Sequence, residues 1–447
     1  MGGSEKFDAM TSSPVEKLVL RMAFPPVVIM LISAMYNAVD TWFVGFLGTT
    51  ETAAVGVSFS VMNMIQAAGF LFGHGAGNYI SRALGARSGK DAEKMAAVGF
   101  FSAFCTGGLM AALGLAFLSP LASALGATET ILPHALSYLR FILLGAPFMV
   151  SALTLNNLLR FQGSAFLGMI GMTCGAALNV LLDPLFIFTF HMGVPGAALA
   201  TMISQTVSCV LLFIINRGGK QNVPILPRNF SPGRAAYMNI LRGGSPSLLR
   251  QSVMSLAAVF LNRAAGPYGD EVIAAVSIVN RVVMISGSAI IGLGQGFQPV
   301  CGFNYGARLY GRVKRAFRFC VAISSVVLAV LSVLAFIFAP DIVAVFRKGD
   351  AMVIGIGARA LRFQSLTLPL SGWIVLSNMM LQTMGKALPA NILALARQGF
   401  FLIPLLFILT PLFNVTGILL STPLADLFTF VLALPLGLKT LKKDLFE

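Results

Sequence analysis

The amino-acid sequence predicts an all-α integral membrane protein with twelve transmembrane helices in two six-helix bundles and both termini in the cytoplasm. Of the 447 residues, 57% are hydrophobic and only 11% are charged, whereas soluble domains carry about 25% charged residues. Apolar runs of about 20 residues, the length that crosses a hydrocarbon core about 30 Å thick, recur along the chain. These two observations exclude an ordinary soluble enzyme.

The net charge of +15 does not indicate a nucleic-acid partner. DNA-binding chains gather basic residues on one hydrated face, but here they lie in short loops between apolar runs. All five cysteines fall inside apolar stretches without CxxC spacing, and His74 and His134 have no ligand spacing. We therefore expect no metal and no cofactor.

Apolar runs between charged or Gly/Pro-rich breaks give the positions of the twelve helices. The first six lie near residues 18–43, 53–80, 95–118, 133–158, 165–190 and 195–216. The second six lie near 237–264, 272–301, 317–338, 354–383, 390–412 and 415–438. The first run is too long for the apolar region of a signal peptide, so we expect that helix to be retained. The predicted domains are an N-terminal lobe (1–216), a polar cytoplasmic linker (217–236) and a C-terminal lobe (237–447).

The loop charges predict the orientation, because cytoplasmic loops of membrane proteins carry an excess of Lys and Arg. Four segments are basic, namely loop 2–3 (Arg82, Arg87, Lys90, Lys94), the linker (Arg217, Lys220, Arg228, Arg234), loop 8–9 (Arg308, Arg312, Lys314, Arg315) and the tail (Lys439, Lys442, Lys443). The connections after helices 1, 3, 5 and 11 contain no Lys or Arg. Both termini are then cytoplasmic, which requires an even number of helices.

The two halves form an internal repeat. At a shift of 221 residues Pro25 meets Pro246, Gly73 and Gly75 meet Gly294 and Gly296, and the triplet at 85–87 (GAR) recurs at 306–308. Because the shift spans an even number of helices, the repeats have the same orientation and are related by an axis along the membrane normal. Paired lobes of this kind enclose a substrate path, so transport is the leading function class.

Two acids on predicted helices are not explained by the repeat. Asp40 on helix 1 and Asp183 on helix 5 meet Leu261 and Pro404 in the other half. An ionisable group in hydrocarbon costs about 2.5–3.5 kcal/mol, so each one needs a reason. Both lie in the outer half of the N-terminal lobe.

Three polar residues fall near the level of these acids: Tyr138 on helix 4, Asn179 one turn before Asp183, and Thr201 on helix 6. Amide and hydroxyl groups can hydrogen-bond either protonation state of a carboxyl group. We interpret the set as a proton-coupling site. In the alternative interpretation, Asp183 pins the segment 183–186 (DPLF) and Asp40 faces an external vestibule.

The C-terminal lobe offers one possible ion pair. Arg281 and Asp426 lie at matching depth on helices 8 and 12, so we expect them to pair. Arg250 and Arg397 lie near predicted cytoplasmic helix ends and are expected to extend toward water. Pro25 and Pro26 interrupt helix 1, where they form either a static bend or a moving hinge.

Several stretches resemble the multidrug and toxic compound extrusion (MATE) family along almost the whole chain. They are SSPVEKLVLRMAFPP, DTWFVGFLG, GHGAGNYISRALGA, YLRFILLGAPF, MIGMTCGAALNVLLDPLFIF and VPGAALATMISQ. The likeness is to the bacterial MepA-like branch, although Gln295 replaces the glutamate usual there and Asp40 is typical of the DinF-like branch.

The resemblance implies a monomeric, multi-pass antiporter of the bacterial inner membrane. It implies export of amphipathic, often cationic compounds against H⁺, or Na⁺, by alternating access of two bundles. Family proton-site residues correspond to Asp40, Tyr138, Asn179, Asp183 and Thr201, and more weakly to Asn156.

Two rival functions are less well supported by the sequence. A lipid-linked oligosaccharide flippase of the related superfamily would show more basic residues facing a central cavity. An intramembrane enzyme would show a motif such as HExxH or GxSxG, and the sequence has neither on its helices.

Overall fold

The computed structural model describes residues 3–218, 223–347 and 349–445, which are helical apart from turns and short connections. The α-helices of the first half are α1 (Gly3–Ser12), α2 (Val15–Gly45), α3 (Thr49–Gly85), α4 (Gly89–Ala116), α5 (Leu118–Ala124), α6 (Leu132–Phe161), α7 (Ala165–Pro184) and α8 (Val194–Gly218). Those of the second half are α9 (Arg234–Ala265), α10 (Asp270–Gly306), α11 (Tyr310–Ile337), α12 (Ala339–Phe346), α13 (Ala351–Thr367), α14 (Ser371–Thr383), α15 (Ala387–Leu395) and α16 (Ile403–Lys439).

Shorter helical turns join some of these elements. Three π-helical segments are Leu185–Thr189, Ala396–Leu402 and Thr440–Asp444. Three 3₁₀ turns are Pro227–Asn229, Gly266–Tyr268 and Leu368–Leu370. No strand occurs in the described ranges, which confirms the predicted all-α class.

Within the described residues, eight helical segments are long and apolar enough to cross a membrane. One of them, Ala387–Lys442, contains two of the predicted spans; they are separated at Asn414, whose backbone is not helical (φ 51°, ψ −133°). The predicted span at 354–383 is divided by the 3₁₀ turn Leu368–Leu370. The count of twelve therefore stays a prediction, although each predicted range coincides with helical structure.

The helices are longer than the apolar runs that predict them. The run at 53–80 belongs to Thr49–Gly85 and the run at 272–301 to Asp270–Gly306. Helices continue into polar sequence because, once a helix is nucleated, each further residue adds a backbone hydrogen bond whether or not it is apolar. Hydropathy thus finds the core of each helix and not its ends.

Internal packing divides the chain into two units. The first contains Met1–Ser13, Phe24–Leu248 and Gly302–Arg308, and the second contains Pro14–Ala23, Leu249–Cys301 and Leu309–Glu447. The boundaries cross α2 one residue before Pro25 and cross α9 two residues after Pro246. The predicted lobes with a division at 217–236 are not tested by this partition and stay a prediction.

The first unit is organised around α6, which packs against α3, α4, α7 and α8. Leu139, Ile142, Leu155 and Leu158 of α6 are fully buried. Small residues let the neighbouring helices approach closely, as membrane helix interfaces require. A side chain at Gly107, for instance, would meet the backbone of α6. This rigid core positions α7 and α8, which carry the site described next.

The second unit has an apolar cluster that includes buried residues of α9, α10, α13 and α16, such as Leu261, Val279, Leu361 and Ile418. Its α16 packs against α13 and α14. These contacts surround Asp426, which is fully buried near the middle of α16.

Candidate functional site

Asn179 connects α7 to α8 through its side-chain amide. Its Nδ2 donates to Oδ1 of Asp183, 3.3 Å away on the next turn of α7, and lies 3.3 Å from Oγ1 of Thr201 on α8. All three side chains are at least 98% buried. The structure therefore brings together three of the predicted site residues.

Asp40 completes an acidic pair in this cluster. The α2 residue is 8% exposed, and its carboxyl group is a close electrostatic neighbour of the Asp183 carboxyl group. Within the described residues neither acid has a basic partner, and Oδ1 of Asp40 and Oδ2 of Asp183 accept no hydrogen bond. Two neighbouring carboxyl groups repel when both are ionised, so such a pair shares a proton readily.

Glycines of α7 bring this cluster together. A Cβ atom at Gly175 would lie 1.8 Å from Oγ of Ser208 and 3.0 Å from the carbonyl oxygen of Ser204. Gly175 lies one turn before Asn179, so the close approach of α7 and α8 sets the distance from Asn179 to Thr201. Oγ of Ser208 also donates to the carbonyl oxygen of Gly171 at 3.1 Å.

A small cavity of about 30 Å³ adjoins the cluster between α2, α7 and α8. Asn179 and Thr201 line it together with Ser33, Ser204 and Gln205. Buried oxygens of Asn179 (Oδ1) and Ser204 (Oγ) have no hydrogen-bond partner. The space is large enough for a water molecule, and it reaches Asn179, which donates to Asp183.

The remaining site predictions have different outcomes. Tyr138 is buried on α6, and its hydroxyl lies 3.9 Å from Sδ of Met62, so its role at the acid pair stays a prediction. Asn156 packs against Gly168, about 22 Å along α7 from Asp183 at 1.5 Å per residue. Asn156 is therefore not part of this cluster.

The expected pairing of Arg281 with Asp426 is wrong. Arg397 pairs with Asp426 instead: its Nε donates to Oδ1 and its Nη2 donates to Oδ2 at 3.2 Å. Gln364 Nε2 donates to the same Oδ2 at 2.6 Å, and Thr367 Oγ1 lies 3.5 Å from it. Arg281 is exposed on α10. Equal depth gives the level of two residues in a helix bundle but not the faces on which they lie.

Arg397 is expected from the sequence to extend toward water, and 32% of its side chain is exposed, but its guanidinium group binds the buried Asp426. Arg397 lies in the π-helical segment Ala396–Leu402, which contains one residue more per turn than an α-helix and so changes the face that a side chain occupies. Arg250, the second arginine in that prediction, donates to Oδ1 of Asn378 at 3.3 Å. The sequence does contain a sign of the observed pair. Arg397 is the eighth residue of the apolar run 390–412, and Asp426 is the twelfth residue of the next run, 415–438.

These observations define a class: a helical protein with apolar helices of membrane-spanning length that bury ionisable groups, which is typical of secondary transporters. The sequence profile of the MatE family matches residues 25–185 and 246–408. The chain belongs to the MatE family. The two matched stretches begin 221 residues apart, the same shift at which the halves of the sequence align.

Relatives and solved structures agree with this assignment. The chain is 30% identical over 415 residues to the multidrug export protein MepA of Staphylococcus aureus (strain N315), covering 93% of this chain and 91% of the relative. A MOP superfamily transporter from Pyrococcus furiosus has a TM-score of 0.92 at 27% identity, over 99% of this chain and 100% of that one. A structure of MATE in the bent conformation also has a TM-score of 0.92 at 27% identity, over 100% and 99% of the two chains.

Proposed function

We propose that the protein is a twelve-helix secondary active exporter of the bacterial inner membrane that exchanges amphipathic, cationic compounds for H⁺. It acts as a monomer without a cofactor, and Na⁺ is the alternative coupling ion. The observation that carries the proposal is the buried pair of Asp40 and Asp183, which lies beside Asn179 and Thr201 without a basic partner. Membership of the MatE family favours this function over the flippase.

The acid pair supplies a group that can be loaded and unloaded. Protonation of one carboxyl group removes the repulsion between the two, and deprotonation restores a charge that must be compensated in a nonpolar setting. Asn179 can rotate its amide to offer either a donor or an acceptor. Loading the site therefore changes the hydrogen bonds that join α7 to α8, and it changes the attraction of the unit for a cation.

The available energy is sufficient for uphill export. One proton that crosses a potential of 100 mV supplies about 2.3 kcal/mol, which sustains a gradient of about 50-fold for a neutral substrate. A pH difference adds to this. One proton exchanged at the acid pair in each cycle is therefore enough to drive export.

The prolines of α2 supply a place where the two units can move. The boundary between the packed units falls between Ala23 and Phe24, one residue before Pro25 and Pro26. Each proline lacks a backbone donor, so the hydrogen bonding of α2 is weakest there. We assign these residues as a hinge. If the prolines form a static bend instead, replacing both with Ala will leave the export rate unchanged.

Transport by purified protein in liposomes tests the proposal, with the pH gradient and the Na⁺ gradient imposed separately. A fluorescent amphipathic cation serves as substrate. We expect the pH gradient alone to drive accumulation and the Asp183→Asn variant to lose it. Asp341→Asn is the matched control, because Asp341 is an exposed acid at the start of α12.

Two outcomes would change the proposal. Accumulation driven only by the Na⁺ gradient would replace the coupling ion and keep the exporter. No gradient-driven movement of amphipathic cations, together with movement of lipid-linked oligosaccharide between leaflets, would replace the exporter with the flippase.

A further inference from the structure

A second cavity, far along the sequence from the acid pair, lies within the second unit between α11, α14 and the last turns of α16. Its volume is about 410 Å³, in the range of small-molecule sites. It is lined by Lys314, Arg318, Trp373 and Lys442 and by apolar side chains. Nothing in the proposed export mechanism uses it.

The polar part of this cavity is cationic. Lys314 and Arg318 are one turn apart on α11, and Lys442 lies in the π-helical turn after α16. Within the described ranges Arg318 and Lys442 have no hydrogen-bond or ion-pair partner. In contrast, Arg315 on the same helix pairs with Glu16 and does not line the cavity. Three basic side chains line one cavity, and the charges of Arg318 and Lys442 are not compensated by a described residue. This arrangement favours an anionic ligand.

The floor of the cavity is aromatic. Phe317 and Trp373 form an edge-to-face pair with ring centroids 5.3 Å apart, and Gly437 of α16 leaves room for the indole ring. The indole nitrogen of Trp373 has no acceptor. Tryptophan at this position combines an apolar ring with a donor, the combination favoured where a membrane meets water.

The basic groups continue into an exposed apolar stripe on one helix. Lys314 and Arg318 are followed at four-residue spacing by Ala322, Val326 and Val330, which form a ridge inclined by about 26° to the axis of α11. Val326 and Val330 are 64% and 55% exposed. A ligand that fits both parts carries an anionic head and a long apolar tail.

We propose that this cavity binds the phosphodiester headgroup of an anionic phospholipid, with an acyl chain along the stripe of α11. The basic residues of loop 8–9 predict that this end of α11 is at the cytoplasmic surface, so the lipid comes from the cytoplasmic leaflet. Basic pockets between helices on that side of a membrane suit acidic headgroups. Free inorganic phosphate has the same charge but gains nothing from the apolar stripe.

The two tryptophans of the chain make the site directly observable. In a Trp42→Phe background, Trp373 is the sole tryptophan and lies in the wall of the cavity. Nanodiscs of phosphatidylcholine with rising fractions of brominated phosphatidylglycerol, or of brominated phosphatidylcholine, report lipid contact by fluorescence quenching. The measurement needs no transport, so its result is independent of the export mechanism.

We expect brominated phosphatidylglycerol to quench Trp373 at a lower mole fraction than brominated phosphatidylcholine. The variant Arg318→Gln with Lys442→Gln should need about 25-fold more of the acidic lipid, since each basic group near a membrane surface contributes about a fivefold factor. Arg308→Gln with Lys439→Gln is the control, because it removes two exposed charges that do not line the cavity. It should quench like the parent.

Three results would overturn the proposal. The first is equal quenching by the two brominated lipids. The second is a preference for the acidic lipid that survives loss of Arg318 and Lys442. The third is displacement of the lipid by millimolar inorganic phosphate, which would assign the cavity to a free anion.

Discussion

The two units bury acids in opposite ways. In the first, Asp40 and Asp183 lie against each other with an amide, a hydroxyl and a small polar cavity as their neighbours. In the second, Asp426 is held by the guanidinium group of Arg397 and by Gln364. Arg397 compensates the charge of Asp426 and holds its carboxyl group in place, whereas no cation within the described residues pairs with Asp40 or Asp183. Under the proposed mechanism, this asymmetry between the repeats assigns coupling to the first unit and structural support to the second.

Replacing Arg397 should cause the largest loss of stability among the variants that test this difference between the units. Arg397→Met leaves Asp426 buried without its cation, which costs about 3 kcal/mol, the low end of the usual 3–5 kcal/mol because Gln364 and Thr367 still donate. SDS titration of the purified protein measures the free energy of unfolding. The double variant Arg397→Met with Asp426→Leu should recover most of the loss.

Arg281→Gln is the matched control for this prediction, because Arg281 is an exposed arginine of the same unit. It should unfold like the parent protein. A loss at Arg281 as large as the loss at Arg397 would restore the pairing that the sequence suggested and contradict the observed one.

A smaller effect is expected where α7 meets α8. Gly175→Ala places a methyl group against Ser208 and Ser204, and overpacking of this kind costs about 1–3 kcal/mol. It also pushes Thr201 away from Asn179, so the export rate should fall with the stability. Adding Ser208→Ala removes the closest atom and should restore part of both.

Gly108→Ala on α4 controls for the change in helix propensity, because a Cβ atom at Gly108 meets nothing within 4 Å. Alanine in an open helix interior is favoured over glycine by about 0.5–1 kcal/mol, so this variant should be as stable as the parent or more stable. Equal losses at the two glycines would show that the contact with α8 does not matter.

The smallest effect concerns the exposed ion pair between Glu16 and Arg315. Hydrogen bonds from its own backbone and from Arg315 hold the pKa of Glu16 below its usual value. The lowered pKa means that the bridge stabilises the protein above the unfolded pKa of about 4.3, and that this contribution is lost as the pH falls through the lower folded value. Glu16→Gln should lower Tm slightly at pH 7 and leave it unchanged near pH 3. A difference that persists near pH 3 would mean that another contact of Glu16 is responsible.

The sequence predicts the first unit's site better than the second's for a physical reason. Asn179 and Asp183 are four residues apart on one helix, so local periodicity alone places them on one face. Thr201 joins them because the short connection between α7 and α8 keeps residues at similar depth together. Arg397 and Asp426 also lie in consecutive predicted helices. The π-helical segment at Arg397 and the break at Asn414 change the helix faces on which the two side chains lie, so a regular helical period does not predict their contact.

Other features could not be predicted because they depend on side-chain packing between distant segments. Asp40 and Asp183 interact although they are 143 residues apart in the chain. The sequence predicts that both lie at a similar depth in the membrane but not how far apart their side chains are. The cationic cavity of the second unit combines α11, α14 and the end of the chain. Hydropathy and loop charge identified the class of protein and its helices, since those depend on composition over about 20 residues.

Proton release on substrate binding measures whether Asp40 and Asp183 couple the two ligands. Purified protein in weakly buffered detergent solution is mixed with a saturating amphipathic cation, and the pH change is recorded with an indicator dye. We expect proton release by the parent protein and by Arg397→Gln with Asp426→Asn, which keeps the second unit's pair neutral. Asp40→Asn and Asp183→Asn should each bind substrate without releasing a proton. Release of the same number of protons by these two variants, or its loss only when Arg397 and Asp426 are replaced, would contradict coupling through Asp40 and Asp183.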